Sequence, residues 1–406
     1  MSCQLHAGRV YRPLLPALWL ILARLLPAQA APTTAPLRFV TLGLGNNRTC
    51  GVAATGAAYC WGLNYFGELG TGSEPQQTPT PRAVAGGVSF VAVDPGELST
   101  CGLTTGGTID WWGASFFHEF VYDSSLRRPV TKNRTVPTPI PGGMTFVALH
   151  VASYHACALT AAGAAYCWGS NRGGQLGTGD TLDPTAPTLV GGGLAFNVVS
   201  VGGSHTCGLT PAGAAYCWGS DFDGEIGRVA PQKCGVRVQS PCATSPEAVP
   251  GGLRFTDISA GSTETCAVAA DSTAYCWGSN QFDQLGVGAA KVHSSAQPLP
   301  VAGGLRFKTI GVGDYYVCGL VSDGKAYCWG WNRSGHLGVA GPGMSPVPVA
   351  VSGGLTWRSL VVGTFHTCGV ATDGATYCWG EGALGSGRAP DRSDSSSTPV
   401  RVIDHF

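Results

Sequence analysis

The chain is short of charge. Only 12% of its 406 residues are Asp, Glu, Lys or Arg, and 24 basic residues balance 24 acidic ones. There is no overall basic footprint for nucleic acid and no acidic field for a cationic partner. Helical patterning is equally scarce: Leu/Glu/Lys-rich stretches are few and no 3.6-residue period is sustained. Catalytic signatures are missing too. No serine elbow, no His-Glu metal helix and no phosphate-binding loop occurs, and the Gly-rich turns lead into no helix whose N-terminus could hold a phosphate. Carboxylates are scattered, with no recurring pair suited to acid–base work. The expectation is a non-enzymatic protein with no catalytic residue, cofactor or metal.

Long apolar runs are confined to the start. Arg9 and Arg12 precede Leu14–Leu26, and Ala28-Gln29-Ala30 makes a small-x-small cleavage site. This reads as a secretory signal peptide over residues 1–30. A membrane anchor is the rival reading, but Pro16 and Arg24 break a run that is already short. No later segment could span a bilayer. A Pro/Thr linker covers 31–36, the main domain 37–403 and a tail 404–406.

What is abundant is cysteine, at 16, and glycine, at 61. The clearest stretch is His155-Ala156-Cys157-Ala158-Leu159-Thr160-Ala161-Ala162-Gly163-Ala164-Ala165-Tyr166-Cys167-Trp168-Gly169. It reads as a β-hairpin turning on Ala161, Ala162 and a left-handed Gly163. Counting outward from the turn, Cys157 faces Cys167 at a non-hydrogen-bonded pair, where side chains come closest and can bond. The same count pairs Cys50 with Cys60, Cys207 with Cys217, Cys266 with Cys276, Cys318 with Cys328, and Cys368 with Cys378. In the second copy Cys101 faces Trp111 and is left without a local partner. Cys234 and Cys242 are expected to staple a separate loop. The paired spacing points to disulfides and an oxidising compartment, not to zinc, whose ligand pairs lie closer together.

Seven such hairpins recur at a pitch of 50 to 59 residues, each ending in Trp-Gly. Around them each unit adds an opening strand such as Leu305-Arg306-Phe307 and a Pro-flanked closing strand, and all but the second carry a Gly-x-Leu-Gly turn such as Gly335–Gly338, begun by Asp283 in the fifth and shortened to Ala383-Leu384-Gly385 in the seventh. That makes four strands per unit. Neither hairpin face is polar, so both must be covered, and stacking each sheet between two neighbours covers them. The expected fold is all-β: a seven-bladed β-propeller of four-stranded antiparallel blades. The Trp and the Leu of Gly-x-Leu-Gly would fill the gaps between blades. Six Gly-Gly pairs, from Gly86-Gly87 to Gly353-Gly354, read as tight hairpins joining each closing strand to the next opening strand. On that reading the first and last strands pair with each other and close the ring.

The pattern His-x-Cys-x-Leu-Thr-x-x-Gly-x-x-Tyr-Cys-Trp-Gly-Ser-Asn-x-x-Gly-Gln-Leu-Gly resembles the regulator of chromosome condensation repeat. It looks most like a secreted, cysteine-paired bacterial form, over about residues 37 to 403. The resemblance implies a seven-bladed propeller and little about function. Such proteins include a nuclear guanine-nucleotide exchange factor and a secreted β-lactamase inhibitor.

Two departures from the repeat are the functional leads. The second repeat replaces Gly-x-Leu-Gly with an insert carrying Phe116, Phe117, Phe120 and Tyr122, followed by Arg127 and Arg128. Exposed aromatics beside Arg suit a binding surface; the other reading is a degenerate blade whose aromatics fill its own gap. The fourth repeat carries a loop with Arg228, Lys233 and Arg237 around Cys234 and Cys242. A stapled loop binds with less ordering cost, or is merely kept from fraying. His155, His205 and His366 recur two residues before a Cys, but Arg48, Ser99, Glu264 and Tyr316 hold that position elsewhere, so a structural role is preferred to a metal ring. Asn47, Asn133 and Asn332 lie in glycosylation sequons.

The expected function is that of a secreted or periplasmic scaffold. It would be a monomer binding a protein or cell-envelope component through loops on one face, with inhibition of an extracellular enzyme as a sub-case. An exchange-factor-like regulator of a small GTPase and a propeller-face enzyme are the alternatives.

Overall fold

The computed structural model describes residues 36–403, apart from 73–76, 115–119, 124–127, 132, 236–238, 289–291 and 390–393. Residues 1–30, read above as a signal peptide, the tail, Phe116, Phe117, Arg127 and Arg237 lie outside the described residues, as do the side chains of Phe120, Tyr122 and Arg128.

Each sequence repeat forms one antiparallel blade. In blade 1 the strands Phe39–Leu44, Arg48–Ala53, Ala58–Gly62 and Thr78–Ala83 are neighbours in that order. Six further blades repeat it, ending with Trp357–Val362, His366–Ala371, Thr376–Glu381 and Ser395–Arg401. Blade 4 gains a fifth strand, Gln232–Cys234, on the edge of Ser240–Ala248. The insert of the second repeat forms its own two-stranded ribbon, Phe120–Asp123 with Arg128–Thr131. Among the described residues the helical content is one short 3-10 turn, Gly191–Gly193.

The hairpin register is as expected. Thr160 N–H donates to Ala164 C=O at 3.0 Å, Gly163 N–H donates to Thr160 C=O at 2.9 Å, and Gly163 has φ +80°. Cys157 lies opposite Cys167 with Cα atoms 4.1 Å apart, the close spacing of a non-hydrogen-bonded pair. All six hairpin pairs and Cys234–Cys242 are disulfides. Cys101 is free, buried and opposite Trp111.

The seams also follow expectation. Each Gly-x-Leu-Gly turn reaches sideways and lays its Leu against the Trp of the next blade: Leu69 clusters with Trp112 and Phe90, and Leu285 with Trp329 and Phe307. A Cβ on Gly286 would lie 2.6 Å from the Trp329 indole nitrogen, so the turn needs glycine both for this approach and for its φ of +68°. At five of these turns the indole N–H donates to a turn carbonyl, as Trp329 Nε1 does to Gln284 O at 3.0 Å and Trp277 Nε1 to Glu225 O at 2.9 Å; Trp218 Nε1, against the turn of blade 3, is buried without a partner.

The Gly-Gly links correct the expected blade boundary. They are not hairpins: they carry the chain from the outer edge of one blade to the inner edge of the next. Ala83 still pairs with Tyr59 of its own blade, whereas Phe90 opens the next sheet opposite Thr104. The intervening residues cross beneath blade 1, with Val84 N–H donating to Ala58 O and Phe90 N–H to Gly56 O, both at 2.9 Å. Two left-handed glycines bend this crossing just as they would bend a tight turn, so the dipeptide does not distinguish the two.

Consequently the first and last strands do not pair; they sit at the inner edge of blade 1 and the outer edge of blade 7. The ring closes by face packing. Phe39 and Trp61 cluster with Leu384 and Val402, and Trp61 Nε1 donates to Ala383 O at 3.0 Å. Proline on the outer strands, such as Pro346 and Pro348 in Met344–Ala350, withholds N–H groups from edge-to-edge pairing.

Candidate protein-docking face

The topology sorts the loops. One face carries the turns from opening strand to hairpin and the long loops from hairpin to closing strand; it is called the upper face below. The lower face carries the short hairpin turns and the Gly-Gly crossings. Both departures from the repeat, the insert ribbon and the stapled hairpin of blade 4, therefore emerge on the upper face.

Beneath this face the seams are bolted by a polar relay. His155 Nε2 lies 2.9 Å from Thr206 Oγ1, and Thr206 donates to Gln175 O at 2.8 Å. A hydroxyl has one proton, so the imidazole is the donor and carries its proton on Nε2. His205–Thr265–Glu225 O and His366–Thr49–Ala383 O repeat the relay. Full burial lowers the His155 and His366 pKa values to about 3 and that of His205 to about 4. These histidines are seam bolts. Among the described residues no group of three or more His, Cys, Asp or Glu could hold a metal ion. At the same position Arg48 pairs with Glu68 at 3.1 Å and donates to Gly96 O of blade 2 at 2.6 Å, and Tyr316 OH donates to Gly363 O at 3.0 Å.

A second belt lies closer to the axis. Val151 N–H donates to Asp94 Oδ2, Val201 N–H to His150 Nδ1, Ala260 N–H to Ser200 Oγ and Val312 N–H to Ser259 Oγ, at 2.7 to 3.1 Å. Gly43 needs no such acceptor because its neighbour is Pro95, which has no N–H. Sequence reasoning missed this belt. Its only signal was a small or polar residue four places after the opening aromatic.

Glu264 occupies the bolt position of blade 5, but the threonine slot facing it is Val317. Its Oε1 has no hydrogen-bond partner, while Oε2 accepts from the Thr263 N–H and hydroxyl. Burial first, then Asp314, push its pKa up to about 8; burial likewise pushes Glu225 to about 7. A carboxyl raised in the fold contributes stability below its unfolded pKa, near 4.5, and loses it as pH climbs through the folded value. The buried histidines act in the opposite sense: their contribution is complete above about 6.5 and is lost toward 3–4. Of these two sets, only the carboxyls titrate above about pH 6.5. Glu264→Gln should therefore gain about 2 kcal/mol over the parent between pH 6 and pH 8, read from urea unfolding at both values. A constant difference would remove Glu264 from the alkaline limb.

The loop candidates fall unevenly. Arg228 is held by Glu247 at 2.8 Å, both partly exposed. Lys233 is exposed on the stapled hairpin. That hairpin stands between two grooves. One, of about 520 Å³, runs toward blade 5 and includes Phe222, Val229, Pro231 and Lys233. The other, of about 570 Å³, runs toward blade 3 and includes Tyr154, Arg172 and, again, Phe222. Phe222 forms the ridge between them and is 67% exposed. The Asp221 carboxylate in the first groove is spent on the Ile226 and Ala230 N–H groups. The Asn332 sequon is occupied structurally: its side-chain amide is buried and donates to Val339 O and Pro342 O.

The fold is that of a seven-bladed β-propeller whose two departures from the repeat lie on one face. Profiles described as Regulator of chromosome condensation (RCC1) repeat match residues 55–103, 162–209 and 323–370, and residues 198–225, 255–284 and 307–335. The chain carries RCC1 repeats. It is 27% identical over 306 residues to the ultraviolet-B receptor UVR8 of Arabidopsis thaliana, covering 74% of this chain and 55% of UVR8. It is 26% identical over 319 residues to the human E3 ubiquitin-protein ligase HERC2, covering 77% of this chain and 6% of HERC2. The chain thus spans about half the length of the first relative and a small part of the second. Yeast RCC1 (Prp20), solved bound to Kap60, superposes with a TM-score of 0.72 at 21% identity, over 90% of this chain and 85% of that one, a likeness of fold.

Proposed function

We propose that this propeller is a non-enzymatic, monomeric protein-binding scaffold of the extracellular or periplasmic space. It engages a protein or envelope partner around the stapled hairpin on its upper face, and inhibition of an extracellular enzyme is one form this binding takes. The observation carrying the reading is that hairpin: a cross-linked projection between two grooves, with an exposed Phe222 at their junction. A tied loop forfeits little conformational freedom on binding, and an exposed aromatic beside a groove is the usual centre of an interface. Seven disulfides support an oxidising compartment.

The test is affinity capture from the extracellular and periplasmic fractions with three baits: the parent, a variant with residues 231–242 replaced by a short turn, and one with 114–136 replaced by a repeat-like loop. Partner recovery should fall about tenfold or more with the first replacement. Equal recovery by all three baits would remove both loops from the interface. The second reading, a regulator of a small GTPase, follows the RCC1 repeats and the likeness to Prp20, which one solved structure describes as binding Gsp1p. It requires a chain that folds and works with reduced thiols, and it predicts accelerated nucleotide release from a GTPase.

A further inference from the structure

A second part of the upper face, over blades 5 and 6, has its own chemistry. Phe282, Tyr315 and Trp331 are each half-buried and touch one another, with ring centroids 4.8 Å apart for Phe282–Tyr315, 5.7 Å for Phe282–Trp331 and 5.9 Å for Tyr315–Trp331. The buried His336 stacks beneath Trp331 at 5.1 Å and 14° and fixes its plane. We propose that this aromatic patch, beside Asp314, docks an arginine side chain from an extended basic segment of a partner protein.

Three observations converge. The first is backbone strain. Among the described residues only Ser272, Asp283 and Tyr315 have positive φ without being glycine. Ser272 and Asp283 stand where other repeats place a left-handed glycine, such as Gly324 and Gly335. Tyr315, at φ +135°, stands in no glycine slot; its counterparts Asn47, Leu98, Tyr154, Ser204, Thr263 and Phe365 are unstrained. Strain kept at one repeat of seven, where it brings a ring against two others, marks a site held in shape for use.

The second observation is charge. Asp314 adjoins Tyr315 in sequence and Asp283 adjoins Phe282, while the fully buried Glu264, with one oxygen unpartnered, becomes a further anion only as pH rises through about 8. The Tyr315 phenol feels this field: Asp314, then burial, then Glu264 push its pKa up. Arg333 is the opposing cation, exposed to solvent two residues beyond Trp331. The third observation is ring chemistry. Aromatic faces attract cations, and a guanidinium stacks flat on an indole where an ammonium does not. The patch shares no residue with the stapled hairpin or its grooves, so it stands or falls separately from the interface proposed there.

The test uses N-acetyl hexa-arginine amide as probe, followed by Trp emission and calorimetry at low salt. Among the described residues Trp331 is half-buried and the other nine tryptophans are buried, so a quench that is lost in Trp331→Leu reports this patch. Binding should weaken about tenfold in Trp331→Leu and about threefold in Asp314→Asn. Tyr315→Gly should weaken binding while raising the thermal midpoint, because the strain is relieved. Trp331→Phe keeps a ring and should retain most of the affinity, and its cooperative melt controls for folding. Undiminished binding by Trp331→Leu or by Asp314→Asn, or equal binding of hexaglutamate, would overturn the proposal. Replacing residues 231–242 should leave probe binding unchanged.

Discussion

Refolded with its thiols reduced, the chain is expected not to regain the propeller, whereas refolding with the disulfides intact restores it. Each hairpin disulfide closes a loop with a sequence separation of 10, worth about 2–3 kcal/mol in loop-closure terms. One such contribution is tolerable. Cys266→Ala with Cys276→Ala should cost about 2–3 kcal/mol and leave a cooperative fold. Six together match or exceed the ~5–15 kcal/mol that hold an ordinary domain together. The blades cannot make up the deficit, because each is thin and buries apolar surface only against its neighbours. Reduction of the native state should be slow, since the hairpin sulfurs are fully buried. The measurement is urea unfolding and refolding with and without reductant, followed by Trp emission. Cooperative refolding of the fully reduced chain would detach stability from the disulfides, and with it the argument for an oxidising compartment.

The parts of the fold that were legible in sequence are the parts set by short-range counting. A three-residue turn fixes which cysteines face each other, so the pairing, the odd Cys101 and the buried hairpin faces all follow from His155–Gly169. What was not legible depends on direction after a bend. Gly86 and Gly87 bend the chain in either topology, and only the destination of Phe90 separates a hairpin from a crossing. The functional face suffers the same limit. His155 and His366 could be read as structural, but the threonine each one bolts lies in a neighbouring blade, about one repeat away or at the far end of the chain. The patch at Phe282, Tyr315 and Trp331 had no sequence signal, since it draws on three separate loops and strand ends and on one strained backbone angle.

The seam between blades 5 and 6 offers the sharpest energetic contrast. At three seams the carbonyl of the turn accepts twice, from the indole and from a threonine of the next blade: Glu68 O, Glu225 O and Ala383 O. Glu225 O receives both Trp277 Nε1 at 2.9 Å and Thr265 Oγ1 at 3.0 Å. At blades 5 and 6 the threonine is Val317, so Gln284 O relies on Trp329 Nε1. Trp329→Phe therefore removes a bond, strands a buried carbonyl and leaves a cavity, at about 2–4 kcal/mol. Trp168 is the internal control. Blade 2 lacks a Gly-x-Leu-Gly turn, and the buried Trp168 Nε1 has no partner among the described residues. Trp168→Phe should cost only the smaller cavity term, about 1–2 kcal/mol. Val317→Thr restores a donor for Gln284 O and should recover about 1 kcal/mol in the Trp329→Phe background. A urea double-mutant cycle reads the coupling directly. Equal costs for the two Trp→Phe changes, with no rescue by Val317→Thr, would mean that the indoles hold the seams by volume alone and that their hydrogen bonds contribute nothing measurable.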